Sequence, residues 1–158
     1  MTSATPYTEA YISGPQKTLF FTRTYLPPTS PKAILVFFHG FNEHIARYTH
    51  VHTPVSQRGI AVFTMDQRGF GETVYKKENG AGKKYAQTSW REQLEDMEWA
   101  VKEARKVEGC ADVPLFVMGH SMVRLSLSVC ISVPMTMFLN GTHTGWRPRP
   151  RISDSQRA

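Results

Sequence analysis

The chain has 158 residues, 41% hydrophobic and 20% charged, with a formal net charge of +6. That length is about one small domain and suffices to bury a core, and the composition excludes a disordered chain. Residues 123–158 carry +4 of the +6, five arginines against the single acid Asp154, so residues 1–122 hold only +2 and supply no basic stripe for nucleic acid.

Met1 to Pro6 lacks the basic and apolar regions of a signal peptide. Leu125 to Leu139, the most apolar stretch, is broken by serines and Pro134 and is too short to span a bilayer. The expectation is a cytoplasmic protein. Cys110 and Cys130 have neither metal-ligand spacing nor a disulfide framework, and Asn140-Gly141-Thr142 reads as a chance sequon.

In chain order, Glu9 to Ser13 and Thr18 to Tyr25 flank a Gly14-Pro15 turn and predict a β-hairpin. Ala33 to Phe38 is apolar at every position, as expected of a strand covered on both faces. It runs into the polar loop His39-Gly40-Phe41-Asn42-Glu43-His44. A helix is expected in the second half of Arg47 to Arg58, with Thr53 as N-cap, Pro54 in its first turn and Gly59 as its stop. Ile60 to Met65 is a second buried strand, ending in Asp66-Gln67-Arg68-Gly69-Phe70-Gly71. Residues 72–88, rich in lysine and glycine, read as a surface loop.

The clearest helix is Trp90 to Val107. Ser89 and Glu92 form a capping box, and Trp90, Leu94, Met97, Val101, Ala104 and Val107 share one face. The run Val113 to Met118 is a third buried strand, so strand and helix alternate as in an α/β layer. Division at residue 122 is expected: 1–122 as the folded part and 123–158 as an atypical tail, strand-like up to Val133 and poorly ordered in its last 25 or so residues.

The third strand leads into Gly119-His120-Ser121-Met122-Val123. A strand followed by Gly-x-Ser-x-small is the pattern of a nucleophile elbow, a sharp strand-to-helix turn that lifts a serine hydroxyl clear of the backbone. Val123 departs from the pattern, since a β-branched residue fits poorly where a glycine is expected.

Taken as an ordered set, Phe38-His39-Gly40, Arg47-Tyr48, Asp66-Gln67-Arg68-Gly69-Phe70-Gly71 and Gly119-His120-Ser121-Met122 resemble the monoacylglycerol lipase and serine aminopeptidase-like branch of the α/β hydrolases. The resemblance covers roughly residues 7–122. It implies an α/β fold with a mostly parallel sheet flanked by helices, here lacking the later strands and the lid. It also implies Ser121 as the catalytic nucleophile, with the backbone N–H groups of Phe41 and Met122 as the oxyanion hole. His120 occupies the elbow's variable position and is not the catalytic base. The family order is Ser, then Asp, then His. After Ser121 this chain has only His143 and then Asp154, in reverse order.

The implied chemistry is hydrolysis of carboxylic esters, acylglycerols above all, through a Ser121 acyl-enzyme, with this chain truncated and weakly active or inactive. Two alternatives stay open: a non-catalytic remnant of the fold, and a peptidase or small-ester esterase. No cofactor and no metal are implied. The implied partner is a small acyl ester or lipid, with peripheral contact to membranes or lipid droplets. His39, Asp66 and Arg68 are expected to shape loops, Glu43 to be a solvated loop acid, with a place lining the substrate entrance as the alternative, and His44, His50 and His52 to be polar loop or helix residues rather than metal ligands. Cys110 is expected to be inert.

Overall fold

A computed structural model describes residues 5–121 and 136–137. The order of elements is β1 (Thr8–Ser13), β2 (Leu19–Tyr25), β3 (Ala33–Phe38), α1 (Thr49–Gln57), β4 (Ile60–Met65), α2 (Gly71–Tyr75), α3 (Trp90–Ala104), β5 (Leu115–Gly119) and β6 (Thr136–Met137). They build one sheet in the order β1-β2-β4-β3-β5-β6. The pairs β1–β2 and β2–β4 are antiparallel, and β4, β3, β5 and β6 run parallel.

The uninterrupted apolarity of β3 follows from its place in the sheet. Ile34, Val36 and Phe38 join Ala61, Phe63 and Met65 of β4 under Met97, Ala100 and Ala104 of α3. On the opposite face Phe37 and Leu35 pack with Val62, Tyr25, Tyr48 and Val55 of α1. Alternate residues thus feed two cores, so no polar residue is tolerated on either face. Phe20 of β2 extends the first core by stacking on Trp99, with ring centroids 4.8 Å apart; such a pair adds about 1 kcal/mol beyond its buried area.

Helix α3 starts at the expected capping box: Ser89 Oγ accepts the Glu92 N–H, and the Glu92 carboxylate accepts the Ser89 N–H. It ends at Ala104, before Val107. Its buried line is Asp96, Met97, Ala100 and Ala104, while Trp90 stays 44% exposed. The expected stripe is therefore rotated toward Asp96. Asp96 is buried with a partner: Arg68 Nε and Nη2 donate to its two oxygens at 2.9 and 2.7 Å. The same guanidinium donates to Thr18 Oγ1, the Pro15 carbonyl and Gln16 Oε1, tying the hairpin turn to α3.

Two further expectations are corrected. Helix α1 begins at Thr49, so Pro54 lies inside it and Thr53 is not its cap. A turn of 3-10 helix, Ile45–Tyr48, precedes it and sets its first turn. Residues 72–88 are not all loop: they include most of α2 and a 3-10 turn, Lys77–Asn79. The strand-like reading of 123–133 and the poorly ordered tail lie outside the described residues.

Replacing Arg68 by methionine leaves the Asp96 carboxylate buried without its counter-ion. Burial already pushes that carboxyl above its usual range. The expected loss is about 3 kcal/mol of stability in urea unfolding, most of it recovered in the Arg68→Met/Asp96→Leu double variant.

Candidate active site

The register of the sheet brings three loops to one place. Phe38 at the end of β3 is level with Met65 of β4 and with Gly119 of β5. Chain order runs from β3 out to β4 on one side and then back to β5 on the other, so β3 is the switch point where a crevice opens beyond the strand ends. The loops after Phe38, Met65 and Gly119 line it.

At the end of β5 the His120 N–H donates to the Phe38 carbonyl at 3.0 Å, extending the ladder by one bond. The next residue, Ser121, turns into the left-handed region with φ +56° and is exposed. For a residue with a Cβ this conformation costs on the order of 1 kcal/mol, so surrounding contacts must hold it. Opposite stands Gly40. A Cβ built there would lie 2.9 Å from Glu43 Oε2, 2.9 Å from His120 Nδ1 and 3.3 Å from Ser121 Cβ. The loop after β3 therefore lies directly against the elbow, at a distance that any larger residue would increase.

Phe41, the proposed donor of one oxyanion hydrogen bond, follows Gly40 in that loop. Its side chain is 55% exposed and packs edge-on to Phe70, centroids 5.3 Å apart. Asn42 adopts φ +56°, and Tyr85 Oη donates to its Oδ1. Met122, the second proposed donor, lies outside the described residues, as does Val123.

His39 is fully buried. Its Nε2 accepts the Gln67 N–H at 2.9 Å, so the ring proton is on Nδ1, which donates to the Gly40 carbonyl at 2.7 Å. Burial lowers its pKa to about 4, against the opposing pull of that carbonyl. His39 is a neutral strut joining the loops after β3 and β4. Asp66 is buried too. Its Oδ1 accepts the Ile45 N–H and its Oδ2 the Glu72 N–H, both at 2.7 Å. Gly71 must lack a side chain, because a Cβ there would stand 2.1 Å from Asp66 Oδ2.

Glu43 is not the solvated acid that sequence suggested. Its side chain is 17% exposed. One oxygen, Oε2, accepts the Gly40 N–H at 3.0 Å and the Tyr48 hydroxyl, and meets His120 Nδ1 at 3.0 Å. Partial burial pushes the carboxyl up, but these hydrogen bonds outweigh it and hold its pKa below the usual value. Burial and Glu43 together push the Tyr48 hydroxyl up to about 12. Sequence reasoning missed this cluster because its members, Glu43 and His120, are 77 residues apart. The blocks containing Glu43, Tyr48 and His120 were each visible in the sequence, but not their meeting.

His52 lies in α1, as a helix residue, and faces inward. It is 1% exposed, boxed by the rings of Tyr25, Phe37 and Tyr48. Neither of its ring nitrogens has a hydrogen-bond partner among the described residues. Burial, with His50 and Arg23 adding to it, lowers its pKa to about 4. Among the described residues no group of three or more His, Cys, Asp or Glu could hold a metal ion. Cys110 is buried, and burial raises its thiol pKa, which disfavours the reactive thiolate.

A mostly parallel sheet with helices on both faces, a strand-end serine in a left-handed corner and a glycine loop against it are the parts of an α/β hydrolase. The fold has a counterpart in the carboxyl esterase of Bacillus coagulans solved with glycerol: TM-score 0.63, 26% identity, covering 75% of this chain and 37% of that one. A soluble variant of the Saccharomyces cerevisiae monoglyceride lipase, 23% identical with a TM-score of 0.61, shares the fold over 77% of this chain and 37% of that one. The family model described as serine aminopeptidase, S33, matches residues 29–122, and the chain belongs to that family.

Sequence relatives point the same way. A provisionally named monoglyceride lipase of Schizosaccharomyces pombe is 36% identical over 92 residues, 58% of this chain and 22% of that protein. The monoacylglycerol lipase of Mycolicibacterium smegmatis is 32% identical over 103 residues, 62% of this chain and 32% of the relative. The chain thus spans between about a fifth and a third of the length of these curated relatives.

The two buried histidines make stability depend on pH. Their pKa values are near 4 folded against 6.5 unfolded, so between these values the unfolded chain binds more protons. Stability is full above pH 6.5 and falls as pH drops toward 4, by up to about 1.4 kcal/mol per pH unit for each histidine. Thermal melts across this range should show the decline, and His52→Phe should remove one of the two contributions.

Proposed function

We propose that the chain carries the nucleophile half of a monoacylglycerol-lipase-like serine hydrolase, with Ser121 attacking the carbonyl of a carboxylic ester. The single observation that carries this reading is Ser121 in its left-handed corner, with Gly40 packed against it. Attack converts the carbonyl oxygen to an oxyanion. The backbone N–H groups of Phe41 and Met122 are the donors assigned to it, each typically worth about 10²–10³-fold in rate. The Ser121 hydroxyl proton passes to the leaving alkoxide, and water then hydrolyses the acyl-Ser121 ester, giving its hydroxyl to the acid and a proton back to Ser121 Oγ. The acylglycerol substrate is inferred from the names of the Schizosaccharomyces and Mycolicibacterium relatives.

The base is the weak part of the chain as it stands. Within its 158 residues His143 precedes Asp154, the reverse of the order that Asp-then-His catalysis uses in this fold. We therefore assign the chain by itself a slow turnover, resting on the oxyanion donors and substrate binding. A peptidase reading is favoured by one finding, the serine aminopeptidase description of the family. We further propose a cytoplasmic protein in peripheral contact with membranes or lipid droplets, where an acylglycerol substrate is met.

A fluorophosphonate probe tests the nucleophile without requiring turnover. Labelling at Ser121, abolished in Ser121→Ala, is the expected result; a folded chain that resists the probe would identify a non-catalytic remnant. A panel of monoacylglycerol, short acyl esters and an aminoacyl amide then separates lipase, esterase and peptidase.

A further inference from the structure

We propose that His120 recognises a hydroxyl group on the alcohol portion of the substrate, through an Nε2 lone pair kept bare by Glu43 and Tyr48. The proposal deepens the hydrolase reading and rests on it for the identity of the ligand, although the state of the ring can be read without any activity.

The argument is a count of protons. His120 Nδ1 lies 3.0 Å from Glu43 Oε2 and 3.1 Å from Tyr48 Oη. Glu43 is held ionised by its hydrogen bonds, so it has no proton to give. Tyr48 keeps its proton and donates it to Glu43. The proton between the ring and these two oxygens must therefore be the ring's own, on Nδ1. In its neutral form the ring has only this one N–H, which leaves Nε2 as an acceptor.

Position supplies the rest. The His120 side chain is 54% exposed, and among the described residues its Nε2 has no partner. It leaves the backbone one residue before Ser121, and the space above Gly40 Cα lies 2.9 Å from its Nδ1 and 3.3 Å from Ser121 Cβ. Ring and nucleophile both stand against Gly40. A lone pair there accepts an O–H and offers nothing to a methyl or an ether oxygen. A monoacylglycerol presents free hydroxyls next to its ester; a methyl ester presents none. One neutral hydrogen bond of this kind discriminates by about fivefold.

Isotope-edited NMR of the histidine ring nitrogens in the full chain, near neutral pH, tests this directly. The expected spectrum has His120 protonated on Nδ1, with an Nε2 signal that moves on adding glycerol and stays put with ethylene glycol dimethyl ether. Glu43→Gln should convert the ring to a mixture of tautomers, and Tyr48→Phe provides a second variant should that one not fold. A native ring protonated on Nε2, or an equal response to glycerol and the ether, overturns the proposal. These results do not depend on Ser121, so failure of the fluorophosphonate probe remains distinguishable. If Ser121 is labelled, His120→Leu should lower the preference for monoacylglycerol over the matching methyl ester by about fivefold through KM, and His120→Gln should restore much of it.

Discussion

Everything at the candidate site depends on one alignment: the last residues of β3, β4 and β5 stand level in the sheet. Phe38 is paired with both Met65 and Gly119. A parallel ladder slipped by one residue would swap the two faces of β3, moving Phe37 from the α1 side to the α3 side. Because both faces are apolar and packed, each by a different helix, the slip is penalised twice. The site is thus positioned by the cores beneath it, before any residue in the crevice makes a contact of its own.

What the cores cannot do is hold the loops that leave them. Those loops carry backbone N–H groups without ladder partners, and buried acids satisfy them. Asp66 takes the N–H groups of Ile45 and Glu72, joining the turn before α1 to the start of α2. Glu43 takes that of Gly40 while meeting Tyr48 and His120. His39 adds a third link through Gln67 and Gly40. The polar residues of the motif loops thus act first as fasteners. That is why a serine can be held in a left-handed corner next to a glycine that leaves no room for a side chain.

The parts legible in the sequence were those where local pattern and tertiary environment agree. The unbroken apolar run of β3, the Ser89–Glu92 box and the strand leading into Gly119 each reflect a physical demand confined to a few neighbouring residues. Helix α1 was misjudged for the opposite reason. Pro54 reads as a first-turn proline, yet burial of His52 and Ser56 and packing of Val55 draw four more residues into the helix ahead of Thr53. Packing against the sheet outweighs a missing hydrogen bond. Glu43 was misjudged because its burial is created by His120 and Tyr48 folding over it, and no window of sequence contains all three. Helix α2, at five residues, is too short to show a period.

Violations of local preference offer a last line of reasoning, and they must be sorted by what compensates them. Outside glycine, positive φ occurs at Gln16, Lys17, Asn42, Ala81, Ala86 and Ser121. Gln16 and Lys17 lie in the turn of the β1–β2 hairpin, where tight chain reversal itself requires unusual backbone, and Ala81 and Ala86 lie in the exposed stretch after α2. Asn42 and Ser121 differ: they sit on either side of the crevice, one held by Tyr85 and the other at the end of a buried strand. His52 adds a buried ring with no polar partner among the described residues, stacked on the same Tyr48 that serves Glu43. An unpaired buried imidazole costs stability that an aromatic hydrocarbon at that position would not. Of the strained residues, Asn42 and Ser121 belong to the loops at the strand ends, while Gln16, Lys17, Ala81 and Ala86 lie in turns elsewhere. At Asn42 and Ser121 the cost of the left-handed backbone is met by the contacts around it rather than by the residue's own preference.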